Sequence, residues 1–166
     1  MRVPRSRVYT VLLVGVLLVV TGVVLVQLSI LPVPWTADQG TVTIHGEDGT
    51  EKLAVEVEVA DTWQERYTGL SEHDSLEEGQ GMLFVHGSED ERTYVMRDMD
   101  FDIDIIFIGA DGQLTTIHHA EAPGPGEDGE DLQYTGEAKW VLEVPAGTVN
   151  ESGVEVGDEV AIADLE

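Results

Sequence analysis

The sequence contains no cysteine, and this absence excludes several kinds of site. A disulfide framework, a thiolate-bound metal and a cysteine nucleophile all need this side chain. A lipid-modified N-terminal cysteine is excluded for the same reason. The chain of 166 residues is nevertheless long enough for one domain to bury a core without cross-links.

Basic residues are the second shortage. Only eight Lys and Arg stand against 33 Asp and Glu, and the acids begin at Asp38. Three of the eight cations precede Asp38, and the other five are Lys52, Arg66, Arg92, Arg97 and Lys139. At molar salt the Debye length falls to about 3 Å, which screens the repulsion among so many carboxylates. The scatter of the acids favours a surface adapted to high salt over calcium binding or attraction to a basic partner.

The same charge balance bears on nucleic acids. A nucleic-acid surface binds to a basic stripe that neutralises phosphates, and the five scattered cations form no such stripe. We therefore expect no nucleic-acid partner.

Charge is missing altogether from Val8 to Leu31, a run rich in Val and Leu. As a helix this run would be roughly 36 Å long, enough for a hydrocarbon core of about 30 Å. Arg2, Arg5 and Arg7 precede the run, so we expect the N-terminus in the cytoplasm and the rest of the chain outside. The run is longer than the apolar region of a signal peptide and ends without an A-x-A-like site, which favours an uncleaved anchor.

The predicted organisation is therefore a cytoplasmic N-terminus (1–7), a transmembrane anchor helix (8–31), a linker (32–40) and an extracytoplasmic mainly-β domain (41–166). The anchor makes the cell membrane a partner of the protein, with a single pass and the C-terminal domain outside. Any further small ligand or protein partner has no signature in the sequence.

Apolar alternation and turn signals predict seven strands: Thr41–His45, Lys52–Ala60, Gly81–Val85, Ile103–Ile108, Gln113–His118, Lys139–Val144 and Glu159–Ala163. A capping-box spacing from Asp61 to Gln64 predicts a helix from Thr62 to about Thr68. Residues 89–92 read as a turn, 120–136 as a solvated loop and 147–153 as a helical turn. Many short strands with one or two short helices predict a compact β-barrel or sandwich-like fold.

The strand Ile103–Ile108 is apolar on both faces, which is typical of a strand in the middle of a small domain. Asp104 shares a face with Ile106 and Ile108, where an ionised carboxylate is costly unless it is paired. Arg97 lies close in sequence and is one of few cations. We therefore predict a buried ion pair between Arg97 and Asp104, with Glu143 as the alternative partner of Arg97.

Several short motifs in this region form an ordered set. They are Glu65-Arg66, Gly69-Leu70, Gly81-Met82-Leu83-Phe84, Met96-Arg97, Asp104-Ile105-Ile106-Phe107, Val141-Leu142-Glu143-Val144, Gly147, Gly153 and Gly157-Asp158. In order and spacing the set resembles the family known as domain of unknown function 192, from about Val55 to Ile162. The resemblance implies a compact mainly-β fold, found often in exported or anchored proteins, and brings no established activity. The chain departs from the family pattern at Val95, at Asp98-Met99 and at Asp102.

The candidates for a ligand site or a structural pair are Met96, Arg97, Asp102, Asp104 and Glu143. Asp100, Asp102 and Asp104 match the start of a calcium loop, but Ile105 stands where such a loop needs Gly. Met99, His118 and His119 are weak candidates for copper ligands, and adjacent histidines on a strand point to opposite faces. We expect no bound metal and no other cofactor.

No catalytic motif can be identified. The chain has no G-x-S-x-G turn and no P-loop Lys, so neither a nucleophile nor a phosphate-binding loop is indicated. The sequence thus predicts a binding or interaction module of unknown biochemical activity. The alternatives are a small extracytoplasmic enzyme that uses Arg97 with nearby carboxylates and, with less support, a copper-binding protein. A pocket lined by both Arg97 and Asp104 would favour an enzyme or ligand binder, and a closed core an interaction role.

Overall fold

The structure is a computed structural model that describes residues 38–163. The predicted anchor at 8–31, the N-terminal segment 1–7 and most of the linker lie outside these residues and stay predictions. Within residues 38–163, none of the helices has the length and apolar character needed to cross a bilayer.

The predicted mainly-β fold is confirmed: the described chain forms seven strands and two short helices. These are β1 (Gln39–His45), β2 (Glu51–Ala60), α1 (Trp63–Thr68), β3 (Gln80–Val95), β4 (Ile103–Ile108), β5 (Leu114–Ala120), β6 (Gln133–Pro145), α2 (Thr148–Ser152) and β7 (Glu159–Ala163). All strands belong to one sheet, in the order β5-β4-β6-β3-β2-β1-β7. An antiparallel bridge between Gln113 and Glu159 joins the two ends of that order, so the sheet curls towards a barrel.

Strand pairing is antiparallel throughout the described sheet except between β2 and β3, which run parallel with α1 in their connection. The strand β4 lies between β5 and β6, and all six of its residues are buried. Its alternation divides the core into two clusters. We call the cluster that contains Ile106 and Ile108 the inner cluster. The cluster that contains Ile103, Ile105 and Phe107 is called the outer cluster.

The start of α1 differs from the prediction by one residue. Thr62, not Asp61, is the N-cap, because its hydroxyl accepts a hydrogen bond from the Glu65 N–H at 3.2 Å. Glu65 completes the capping box by accepting from the Thr62 N–H at 2.9 Å. The helix ends before Gly69, as predicted, and this glycine has a φ of 50°.

Two predicted connections are wrong because they are parts of strands. Residues 89–92, predicted as a turn, lie inside β3, and residues 133–136, predicted as loop, open β6. The two strands pair along both stretches, with an irregularity between Val85 and Asp90. Their exposed, polar residues look like loop in the sequence.

Gly136 is needed in β6, since a Cβ at this position would lie 2.6 Å from the Phe107 ring.

Candidate binding site

A pocket of about 420 Å³ opens on the outer side of the sheet, between α1, β3, β6 and the segment that follows β3. Leu70, Phe84, Met99 and Ile103 supply its buried apolar surface. Its size falls within the range of small-molecule sites in proteins, which is about 300–1,000 Å³. The pocket is therefore large enough to enclose a small organic ligand.

Three of the five cations in the acidic part of the chain line this pocket: Arg66, Arg92 and Arg97. Arg66 donates to the carbonyl oxygens of Asp61 and, at 2.9 Å, Val85. Arg92 donates to the carbonyl oxygen of Ser88 at 2.6 Å. Among residues 38–163, neither Arg66 nor Arg92 has a carboxylate oxygen within 4.0 Å. Both guanidinium groups are thus held by neutral carbonyls, and their charges stay uncompensated by direct pairing.

Arg97 is held differently. Its guanidinium lies 4.0 Å from the centroid of the Tyr67 ring and donates to the Tyr67 carbonyl oxygen. Its Nη1 is 3.5 Å from Oε1 of Glu130, a carboxylate whose side chain is 59% exposed. An ion pair this exposed contributes little to stability. Arg97 is therefore fixed at the wall of the pocket chiefly by Tyr67.

The predicted ion pair between Arg97 and Asp104 is wrong. Asp104 is fully buried and faces the inner cluster, on the other side of the sheet from the pocket. Its Oδ1 is 2.7 Å from Nδ1 of His119, and its Oδ2 accepts from the Val149 N–H at 2.9 Å. The carboxyl group thereby ties β4 to β5 and to the first turn of α2. The need for a partner was foreseen, but β5 and α2 supply it.

Glu143 is the buried carboxyl group of the pocket. It lies on β6, opposite Met82 of β3 and Ile105 of β4, and is 5% exposed. Its side chain makes no hydrogen bond or ion pair with any residue of the described chain. Burial raises the pKa of Glu143 to about 8, so the group is mostly protonated and uncharged at neutral pH. The predicted alternative of a pair between Arg97 and Glu143 is absent.

Two further polar side chains face the pocket from β3. The Nε2 atom of His86 is 3.0 Å from the Tyr94 hydroxyl. Burial, helped by the charges of Arg92 and Arg66, lowers the pKa of His86 to about 4, and burial raises the pKa of Tyr94. At neutral pH both groups are therefore uncharged. The net positive charge of the wall comes from its arginines.

The other predicted site residues have structural partners. The carboxylate of Asp102 accepts from the Ala122 N–H at 2.7 Å, and the buried Met96 donates its N–H to Gly129 at 3.0 Å. Met99 lines the pocket. Neither Asp102 nor Met96 reaches it.

The two histidines of β5 engage different partners, as their positions on a strand predict. His118 contacts the Thr135 carbonyl oxygen at 3.0 Å, whereas His119 contacts Asp104. Met99 lies in the outer cluster. In the described part of the chain, no three His, Asp or Glu side chains come together as a metal site. His118 and His119 therefore do not face a common ligand from this strand, and the copper hypothesis stays a prediction.

The sequence analysis did not name Arg66, Arg92, His86 or Tyr94 as candidate site residues. The scarcity of cations was a signal that could have pointed to the arginines. Three of the five cations in the acidic part of the chain line this one pocket. The full length of β3 was the missing information, because this strand carries His86 and Tyr94 to the pocket that Glu143 also lines.

Among the solved structures that are similar to this chain are two of 26% and 30% identity. One is a crystal structure from Sinorhizobium meliloti 1021, described as a candidate transcription regulator, with a TM-score of 0.68 and 26% identity. The match covers 78% of this chain and 97% of that one. The other, from Novosphingobium aromaticivorans, is a protein of unknown function, with a TM-score of 0.65 and 30% identity over 78% of this chain and 89% of that one.

No curated protein matches the chain. The family model for domain of unknown function 192, described as "Uncharacterized ACR", matches residues 43–162, which is most of the chain and nearly all of the described domain. The chain belongs to the domain of unknown function 192 family.

Proposed function

We propose that this protein is a membrane-anchored, extracytoplasmic binding module whose pocket takes a small organic anion. One observation carries the ligand class. Arg66 and Arg92 line the pocket without a carboxylate partner in the described chain, although the sequence holds 33 acidic residues.

The absence of such a partner is informative because an arginine among many acids is strongly drawn to pair. Backbone carbonyls hold both guanidinium groups in place without neutralising them. Each guanidinium carries five N–H donors, and Arg66 uses only its Nη1 atom in these bonds. A ligand carboxylate or phosphate can accept from the remaining N–H donors of the guanidinium group. Hydrogen bonds between such charged groups are stronger than those between neutral groups.

The rest of the pocket favours an anion with an organic body. Phe84, Met99 and Ile103 give the pocket a buried apolar surface, and the aromatic ring of Tyr94 also lines it. A bare inorganic ion would leave this apolar surface unused. A carboxylate or phosphate attached to a ring or short chain would use both halves of the pocket.

Five of the motifs that carry the family resemblance meet at this pocket. Arg66, Gly69, Leu70, Phe84, Arg97 and Glu143 all belong to those motifs and all line it. They come from four separated segments of the chain, and the fold brings them to one place. This convergence supports a binding role for the pocket within the family.

The test is isothermal titration calorimetry of the full chain, purified in mild detergent at molar KCl. Benzoate and benzyl alcohol share a ring and differ in charge, so benzoate should bind and benzyl alcohol should bind at least about tenfold more weakly. Arg92→Gln should weaken benzoate binding by a similar factor because it removes one charge from the pocket wall.

Lys139→Gln is the matched control for that variant. It also removes one cation, but Lys139 lies over the Trp140 ring, 4.3 Å from its centroid, and does not line the pocket. Benzoate affinity should be unchanged. Equal affinities for benzoate and benzyl alcohol, or equal losses in both variants, would show that the pocket does not select anions.

The anchor and the orientation rest on the uncharged run 8–31 and the arginines before it. Protease added to intact cells of the native host should digest the domain, and a cytoplasmic marker protein should survive. Full protection of the domain under those conditions would refute the outside orientation. The many acidic residues support a second proposal, that the domain is adapted to high salt. If so, the domain should unfold when the salt is diluted.

A small enzyme is the alternative function, and fewer observations support it than support a binding module. The carboxylate nearest to Arg97 in the described chain is the exposed Glu130, and Asp104 lies away from the pocket. Transcription regulation is the description of the Sinorhizobium protein, and we do not extend it to this acidic chain, which has no basic stripe for DNA.

A further inference from the structure

Glu143 and the arginines occupy different depths of the pocket. Glu143 is 5% exposed, whereas Arg66, Arg92 and Arg97 each keep part of their surface in water. A ligand whose charged group rests on the arginines would therefore direct its other end inwards. Glu143 is the buried polar group that the inner end would meet.

The surroundings of Glu143 leave its carboxyl without a protein partner. Its neighbours across the sheet are apolar, Met82 on β3 and Ile105 on β4. The titratable and charged groups that share the pocket are Arg66 and Tyr67 on α1, His86, Glu91, Arg92 and Tyr94 on β3, and Arg97 after β3. The hydroxyl of Tyr94 is already engaged by His86, and the arginines by backbone carbonyls.

A buried polar group almost always has a hydrogen-bond partner, because the loss of water is otherwise uncompensated. Within the described chain, the open side of Glu143 is the pocket. Any hydrogen bond to this carboxyl is therefore made by whatever enters the pocket. The neutral carboxyl group has one O–H to donate and an oxygen to accept with.

We propose that Glu143 is a ligand-recognition residue, which donates a hydrogen bond to an uncharged oxygen of the bound molecule. The ligand class is then an organic acid that carries a carbonyl, ether or hydroxyl oxygen at the end remote from its anionic group. This inference rests on the proposed function, since it takes the anionic group to lie on the arginines.

The inference has a consequence for pH. While protonated, Glu143 donates to a carbonyl oxygen; once ionised, it can only accept and repels the same oxygen. The preference for a ligand with a carbonyl should therefore disappear as the pH rises through the pKa of about 8. Tyr94 stays protonated in this range because its own pKa is raised.

The probes are 4-acetylbenzoate and 4-isopropylbenzoate, with the corresponding 3-substituted pair to allow for the direction of the pocket. Within a pair the two acids have nearly the same shape, and only the acetyl compound carries a carbonyl acceptor. Titration calorimetry of the full chain at molar KCl should show about tenfold tighter binding of one acetyl compound at about pH 6. At about pH 9.5 the acetyl compound should bind no better than its isopropyl partner.

Two variants separate recognition from mere packing. Glu143→Gln keeps a hydrogen-bond donor and cannot ionise, so it should keep the acetyl preference at both pH values. Glu143→Leu removes the donor and should abolish the preference at both, while the isopropyl compound binds as well or better. A circular dichroism spectrum like that of the wild type shows that each variant is folded.

The outcomes distinguish the two proposals. If no benzoate binds at all, the anion pocket itself is refuted. If the benzoates bind but neither acetyl compound is preferred, or the preference in the wild type is the same at both pH values, the role of Glu143 is overturned and the anion pocket stands.

Discussion

Asp104 and Glu143 are both buried carboxyl groups on neighbouring strands, and they face opposite sides of the sheet. Asp104, on the inner side, is fully engaged by His119 and by the N–H of Val149. Glu143, on the outer side, has no partner within the described chain and lines a pocket. Both groups are largely hidden from water, yet Asp104 holds secondary structure together and Glu143 has no hydrogen bond within the described chain.

The difference teaches that burial alone does not identify a functional carboxyl group. A structural group is satisfied by its own fold, because an unmet hydrogen bond lowers stability. A group left unsatisfied next to a pocket keeps that capacity for a ligand, at a cost in stability that the remainder of the fold offsets. The same contrast separates Lys52, which is paired with Asp158 at 2.8 Å, from Arg66 and Arg92.

The largest expected effect concerns the pH dependence of stability at Glu143. Its pKa is near 4.5 when unfolded and about 8 when folded, so the unfolded chain loses its proton first. The contribution of this group to stability is present below about pH 4.5 and is lost as the pH rises towards 8. A shift of this size corresponds to about 4–5 kcal/mol.

The unfolding free energy of Glu143→Gln should therefore rise relative to that of the wild type as the pH increases from 5 to 8.5. The total rise should be at most about 4–5 kcal/mol, the value given above. Urea unfolding of both proteins at molar KCl measures the difference, in which the shared acidic residues cancel. A difference between the two proteins that does not vary with pH would mean that Glu143 is ionised in the fold and is not the counterpart of Asp104 described above.

Asp104→Ala should have the next largest effect. It leaves the buried N–H of Val149 without an acceptor, which costs about 1–3 kcal/mol. His119→Ala is the matched control, because the side chain of His119 is 55% exposed and its contact with Asp104 should be worth under about 1 kcal/mol. Denaturant unfolding compares the two, and equal losses would make the histidine, rather than α2, the important partner.

His86 should give a smaller effect of the opposite sign to that of Glu143. Its pKa is lowered from 6.5 to about 4, so its contribution to stability is present above about pH 6.5 and is lost as the pH falls towards 4. Because the side chain is partly exposed, solvent screening reduces the effect. His86→Gln should flatten the acid side of the stability profile slightly, and an unchanged acid limb would show that the imidazole is not desolvated in the fold.

The strands with apolar alternation could be predicted from the sequence. Strand Ile103–Ile108 and strand Glu159–Ala163 were predicted with the bounds that the structure has, because their side-chain patterns or turn signals are local. The extensions of β3 and β6 could not be, since their residues are polar and their only signal is pairing with each other. Pairing partners far apart in sequence leave no local pattern.

The site was predicted in part. Arg97 and Glu143 were named as candidates, and both line the pocket. Asp104 was given the wrong partner, because the sequence shows that a buried carboxylate needs one but not which strand supplies it. Proximity along the chain favoured Arg97, whereas in the fold β5 places His119 directly opposite Asp104.

The pairing of β1 with β7 has a consequence for how the domain assembles. The first and last strands of the described chain are neighbours, from Thr41 opposite Ala163 to His45 opposite Glu159. During synthesis the free edge of β1 must wait for almost the whole domain before its final partner exists. Contacts this distant in sequence slow folding, and an open strand edge invites pairing with another chain. The interval before β7 arrives is thus when the nascent protein is most prone to aggregate.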